Sequence, residues 1–154
     1  MTQRINLYAV SPKAIEPMLA IEAYIKTTSL GHSLAHLVKT RASQINGCAN
    51  CLHMHTSDAI AEGEAPARLF LLDAWEESTM YTPRERAALA WTDAVTKISE
   101  THAPDDVYEG LKPHFSEAEI VDLTLLVATI NSWNRIAIAF RTRHPNDRKL
   151  AAAA

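Results

Sequence analysis

The chain has 154 residues, of which 47% are hydrophobic and 21% charged, with only 4 glycines and a formal net charge of −3. These values fit one compact domain with a sizeable core and exclude a disordered chain. Lys and Arg are scattered rather than clustered, which argues against a nucleic-acid or membrane-surface partner.

The opening MTQRINLYAVSP lacks the apolar stretch of a secretion signal, and the apolar run at 123–130 (LTLLVATI) is too short to span a bilayer. A soluble, cytoplasmic protein is therefore expected. Glycine is scarce and no segment alternates apolar with polar residues, so the elements read as helices throughout, an all-α fold. Ser11 and Pro12 open a first helix with Met18, Ile21, Ala23 and Ile25 as apolar positions. Pro17 is expected to reset its start, and Leu30-Gly31 to close it. A second helix is predicted over 32–45, with Leu34, Leu37, Val38, Ala42 and Ile45 at helical spacing. Asn46-Gly47 breaks it. The next helix opens at Cys48 and continues to Glu62, where Gly63 stops it.

Pro66 starts a fourth piece through Leu69, Leu72 and Trp75. Thr82-Pro83-Arg84-Glu85 has the N-cap threonine, first-position proline and third-position glutamate of a capping box. A short helix is expected over 104–111. Ser116-Glu117-Ala118-Glu119 repeats the capping logic before a long helix from Ile120 to about Arg141, ended by His144-Pro145. That helix is apolar on more than one face (Ile120, Val121, Leu123, Leu126, Ile130), which fits a place in the core and a contact with a second copy. Ile45-Asn46 and Ile130-Asn131 echo each other over too short a stretch to be a repeat. The whole chain, 1–154, reads as a single domain with its motif at 41–64 and a tail at 146–154.

Residues 45–55, INGCANCLHMH, hold the only two cysteines. A permanent disulfide would close a very short loop and constrain little chain entropy. On a helix, Cys48, Cys51 and His55 lie at i, i+3 and i+7 and share one stripe, while His53 points away. Thiols at a helix start gain from the unpaired N–H groups and the dipole, and His55 one turn on can take a proton from Cys51. These are the parts of a thiol redox centre. Zinc is the rival: Cys48, Cys51, His55 and one more histidine would complete a tetrahedral set. Ligands on one helix stripe spread over about 10 Å, however, at 1.5 Å per residue, so no metal and no cofactor is expected. His53, His102, His114 and His144 read as surface or capping residues, and Trp75, Trp91, Trp133, Tyr81 and Tyr108 as core or interface. Glu16, Glu22 and Asp58 have no position relative to the thiols from sequence alone.

The stretch RASQINGCANCLHMHTSDAIAEGE (41–64) closely resembles the core motif of AhpD-like alkylhydroperoxidases in the carboxymuconolactone decarboxylase superfamily. The likeness continues through TPRERAALAWTDAVT (82–96) and FSEAEIVDLTLLVATINSWNRIAIAF (115–140). CxxCxxxH preceded by Ser-Gln-x-Asn-Gly is far more specific than CxxC alone. The resemblance implies an all-α fold, homo-oligomers (trimers or hexamers) and a dithiol peroxidase in which Cys51 attacks the peroxide and Cys48 resolves the sulfenic acid. It also implies a proton relay through His55 and a glutamate on the preceding helix, twelve residues before the first cysteine. That position is His36 here. A neutral imidazole can accept a proton but supplies no negative charge, so His36 is either a working substitute or a helix-surface residue.

The resulting expectation is a peroxidase or disulfide oxidoreductase acting on hydroperoxides through a Cys48–Cys51 cycle. With no GxGxxG and no P-loop in the sequence, the reductant is expected to be a dithiol protein or small dithiol. The alternatives are a superfamily decarboxylase that works without the dithiol, and a non-enzymatic helical oligomer whose thiols sense redox state.

Overall fold

The computed structural model describes residues 2–142, and every regular element among them is helical. In chain order they are α1 (Leu7–Val10), α2 (Pro12–Ile25), α3 (His32–Asn46), α4 (Ala49–Ala61), α5 (Pro66–Leu71) with a 3-10 turn at Leu72–Ala74, α6 (Pro83–Thr96), α7 (Ile98–Thr101), α8 (Asp105–Glu109) and α9 (Glu117–Phe140). Both capping boxes form. Thr82 and Ser116 each accept the N–H three residues on, and Glu85 and Glu119 reach back to the cap N–H groups. Each box satisfies two backbone donors that the helix start leaves open.

Two details differ from the sequence reading, and a third lies beyond the described residues. Pro17 lies inside α2, which starts at Pro12. The ring removes one backbone hydrogen bond, but Pro17 is exposed and water can serve the freed carbonyl. The two one-turn helices α1 and α7 lack any apolar period long enough to read. The proposed end of the last helix at His144-Pro145 and the tail at 146–154 lie outside the described residues; within them α9 stops at Phe140, with Arg141 left-handed at φ 53°.

Helix α3 is the hub, packing against α4, α6 and α9. Its Leu34 and Val38 enter a cluster with Trp91, Leu123, Leu126 and Val127, while Leu37 faces a second cluster with Leu69, Leu72, Trp75 and Leu89. A helix buried on several sides can also carry buried polar groups, and α3 does, at Lys39, Thr40, Arg41 and Ser43. Helix α9 has the length and hydropathy of a membrane span. Ile120, Leu123, Leu126, Val127 and Ile130 are nevertheless in the core, beside buried Asn131 and Asn134, so packing within this chain accounts for that face, while Val121 and Ile138 stay exposed.

Candidate active site

The turn between α3 and α4 creates the site. Gly47 takes the left-handed conformation (φ 67°) that ends α3, with Gly47 N–H donating to Gln44 O at 3.1 Å and Cys48 N–H to Ser43 O at 3.0 Å. This is a Schellman-type end, where only glycine is free of Cβ strain. The next residue is already the cap of α4: Cys48 Sγ accepts from Cys51 N–H at 3.4 Å. Cys48 thus precedes the helix instead of continuing its stripe, and it is disulfide-bonded to Cys51 with Cα atoms 5.4 Å apart. Both are buried, against Ala137 of α9.

A polar clamp holds this turn on α9. Asn46 Nδ2 donates at 2.9 Å to both Asn131 Oδ1 and Asn134 Oδ1, and Asn134 Nδ2 donates to Ser43 Oγ at 3.0 Å. Asn131 Nδ2 continues to Thr96 Oγ1 at 3.0 Å. The Asn46 and Asn131 of the two short echoes therefore meet directly, a contact that neither dipeptide announced.

A cleft of about 430 Å³ opens beside the disulfide, within the size range of small-molecule sites. Cys51 lines it and Cys48 does not. Leu7, Leu19, Ile25, Trp133 and Ile136 give it an apolar wall, and His55, His36, Lys39, Glu22, Asp58 and Glu62 add polar and charged groups to its lining. Trp75 and Trp91 are core residues as expected, whereas Trp133 is half-buried on this cleft. His102 caps α7 on the surface and His114 is half-buried; neither lines the cleft. His53 does not line it either, and His144 lies outside the described residues.

Two stripes face each other here. Helix α4 presents Cys51, His55, Asp58 and Glu62 at i, i+4, i+7 and i+11, and α3 presents His32, His36 and Lys39 at i, i+4 and i+7. His36 is set into the cleft, not on the open surface: its side chain is 15% exposed and Nε2 lies 3.2 Å from Glu62 Oε2. Lys39 is buried and donates to Glu22 Oε2 at 2.5 Å. Glu22 and Asp58, which had no position from sequence alone, line the cleft, and Lys39 and Glu62 escaped the sequence reading, although extending the Cys51–His55 stripe by two turns would have reached Glu62. Glu16 is exposed and away from the cleft.

Burial, with the positive charges of Lys39 and His36 behind it, pushes the His55 imidazole down to about 3 in this disulfide form. Desolvation opposes the charged ring, so His55 is neutral at physiological pH. A Cys51 thiolate beside it would act in the opposite direction. Glu62 is held below the usual carboxylate range, chiefly by its hydrogen bond with His36. Among the described residues no three His, Cys, Asp or Glu side chains converge on a metal position.

Comparison with known proteins bears on the fold and the family. The model of the carboxymuconolactone decarboxylase family matches residues 12–94. Protein YdfG of Bacillus subtilis (strain 168), itself uncharacterized, is 42% identical over 143 residues, 93% of this chain and 97% of its own. A crystal structure of an Agrobacterium tumefaciens protein of unknown function, provisionally placed with the antioxidant defence protein AhpD, is 48% identical with a TM-score of 0.91, covering 94% of this chain and 99% of that one. The debrominase Bmp8 shares the fold at a TM-score of 0.77 and 18% identity, over 92% of this chain and 76% of its own. With the family's motif folded into a disulfide at the head of α4, this chain belongs to the carboxymuconolactone decarboxylase family, as an AhpD-like member.

Proposed function

We propose that the protein is a dithiol peroxidase that reduces hydroperoxides through a Cys48–Cys51 disulfide cycle. One observation carries this reading: the two cysteines stand at disulfide distance, and only Cys51 borders the cleft that His55 also lines. In the reduced protein the Cys51 thiolate attacks the outer peroxide oxygen, forming the S–O bond as the O–O bond breaks. The alcohol leaves with the proton that the thiol gave up. Cys48 sulfur then attacks the Cys51 sulfenic acid, the S–S bond forms, and water departs with the Cys48 proton. A dithiol protein or small dithiol returns two electrons and two protons to regenerate the thiols. At the cap of α4, Cys48 accepts a backbone N–H, which suits it as the leaving thiolate in that last step.

The apolar wall fits an organic group on the peroxide. Exposed apolar side chains on α9 (Val121, Ile138) and on α5 (Phe70, Leu71) fit burial in a homo-oligomer, trimer or hexamer. A cytoplasmic setting, where thiols stay reduced between turnovers, suits the cycle.

The test is peroxide consumption with a dithiol reductant, run beside Cys51→Ser and Cys48→Ser. Wild type is expected to turn over and Cys51→Ser to lose all activity. A sulfenic-acid reagent should label Cys48→Ser and leave Cys51→Ser unlabelled. The reverse labelling overturns the assignment. No turnover with any dithiol would leave the redox-sensor alternative, and dithiol-independent decarboxylation the other.

A further inference from the structure

The position where the family resemblance calls for a carboxylate holds His36, yet the cleft does not lack one. Glu62, capping the C-terminal end of α4, places Oε2 3.2 Å from His36 Nε2 and 3.2 Å from His32 Nδ1. Nearby Arg68 is taken up by Glu64 and Glu85, so the hydrogen-bonding partners of Glu62 are the two imidazoles.

We propose that Glu62 is the positioning carboxylate of this site, holding His36 in one tautomer so that a proton leaving Cys51 passes through His55 and comes to rest on His36. The proposal rests on the dithiol chemistry argued above for Cys51.

The argument starts from ring nitrogens. A carboxylate accepts, so His36 Nε2 carries the hydrogen and Nδ1 keeps the lone pair. Nδ1 is buried and has no hydrogen-bond partner in the protein, as is also true of His55 Nε2. Both rings line the cleft that Cys51 lines. His55, only 6% exposed, is a poor place to keep a positive charge. An imidazolium on His36 would instead face Glu62 across a charge-assisted hydrogen bond. Exposure rises along the path, from 6% at His55 to 15% at the His36 side chain, 48% at Glu62 and 64% at His32. The proton is therefore held on the less buried of the two rings, against Glu62, while the thiolate reacts, and it returns to the departing alkoxide; no net proton is lost.

The titratable and charged neighbours that bear on this pair are His32 and Lys39 on α3, His55 and Asp58 on α4, and Glu22 and Lys26 on α2, with Glu64 and Arg68 beyond the helix end. Direct repulsion between Glu62 and a Cys51 thiolate works against the proposal. Glu62 is half in solvent, so that longer-range effect is screened, whereas the contact with His36 is short.

The test uses reduced protein carrying Cys48→Ser, so that Cys51 is the only thiol. Its alkylation by iodoacetamide is followed from pH 5.5 to 8.5. Because this reads thiolate formation without peroxide, it succeeds or fails independently of peroxidase activity. Glu62→Gln is expected to slow alkylation about tenfold at pH 7, the equivalent of one pKa unit, and to move the profile to higher pH. In a His36→Glu background, where the carboxylate already sits in the cleft, the same Glu62→Gln change should cost less than twofold. Glu16→Gln, exposed and away from the cleft, should leave the profile in place. Equal slowing in both backgrounds, or faster alkylation in Glu62→Gln, overturns the proposal. Long-range 1H–15N spectra of the neutral His36 ring should show hydrogen on Nε2, and Nδ1–H would equally sink it.

Discussion

Two polar clusters flank the hub helix, and they are built to opposite rules. On one side Arg41 is buried, with Nε and Nη2 bidentate to Asp93 at 2.7 and 2.8 Å and Nη1 on Asp73 Oδ1 at 2.6 Å. Trp75 Nε1 adds a bond to Asp93 at 3.4 Å. The hydrogen bond with Asp93 leads the effects that hold the guanidinium firmly charged. On the other side, His36 and His55 each keep a buried ring nitrogen without a protein partner, and both line the cleft that Cys51 borders. A saturated cluster has nothing left to offer a ligand, so Arg41 ties α3 to α6 and to the turn after α5. An unsaturated one leaves acceptors where a proton has to go. Thr40 Oγ1 and Gln44 Oε1 are also buried and unpartnered but lie away from the cleft, so lack of a partner marks a site only where it coincides with a reactive group.

The sharpest way to break this contrast is to unpair the saturated side. Arg41→Met strands the Asp93 carboxylate, which is partly exposed, and should destabilise the fold by about 3 kcal/mol, the low end for a broken buried pair. Urea unfolding measures it, and thiol reactivity of the remaining folded protein should be unchanged. A loss below about 1 kcal/mol would mean that the cluster is not structural.

Next in size is the response of the unsaturated side to acid. In the oxidised protein His55 stays neutral down to about pH 3, whereas an unfolded histidine takes a proton near 6.5. Below 6.5 the unfolded chain therefore binds more protons, and the contribution of His55 falls as pH falls. The slope is about 1.4 kcal/mol per pH unit, or about 2 kcal/mol by pH 5. Above 6.5 the contribution is fully present. His55→Gln should flatten that part of the pH–stability curve, and parallel curves for the two proteins would contradict the burial argument.

The smallest expected effect is that of Lys39→Met. Lys39 is the second cause of the depressed His55 basicity, after burial, so its removal should raise the His55 titration only modestly. NMR titration of the His55 ring in oxidised protein decides the sign, and a downward shift would show that the Lys39 charge does not reach the ring.

What could be read without coordinates is what lies within one helix. The capping boxes at Thr82 and Ser116, the stop at Gly47 and the shared stripe of Cys51 and His55 depend on spacings of three, four or seven residues. Backbone geometry fixes those spacings wherever a helix forms. Pro17 was misread because the cost of a proline inside a helix depends on whether water reaches the freed carbonyl, and that is a matter of burial. Lys39 with Glu22 and Asn46 with Asn131, separated by 17 and 85 residues, were out of reach for a different reason. Such pairs meet only once the relative rotation and offset of two helices are set. For α3 and α4, a single left-handed glycine, Gly47, joins the helices that bring His36 against Glu62. The sequence by itself determined an all-helical chain with an imidazole one turn from a thiol. Only tertiary packing decided which cysteine borders the cleft and which carboxylate stands behind His36, because both depend on side chains from separate helices sharing one buried space.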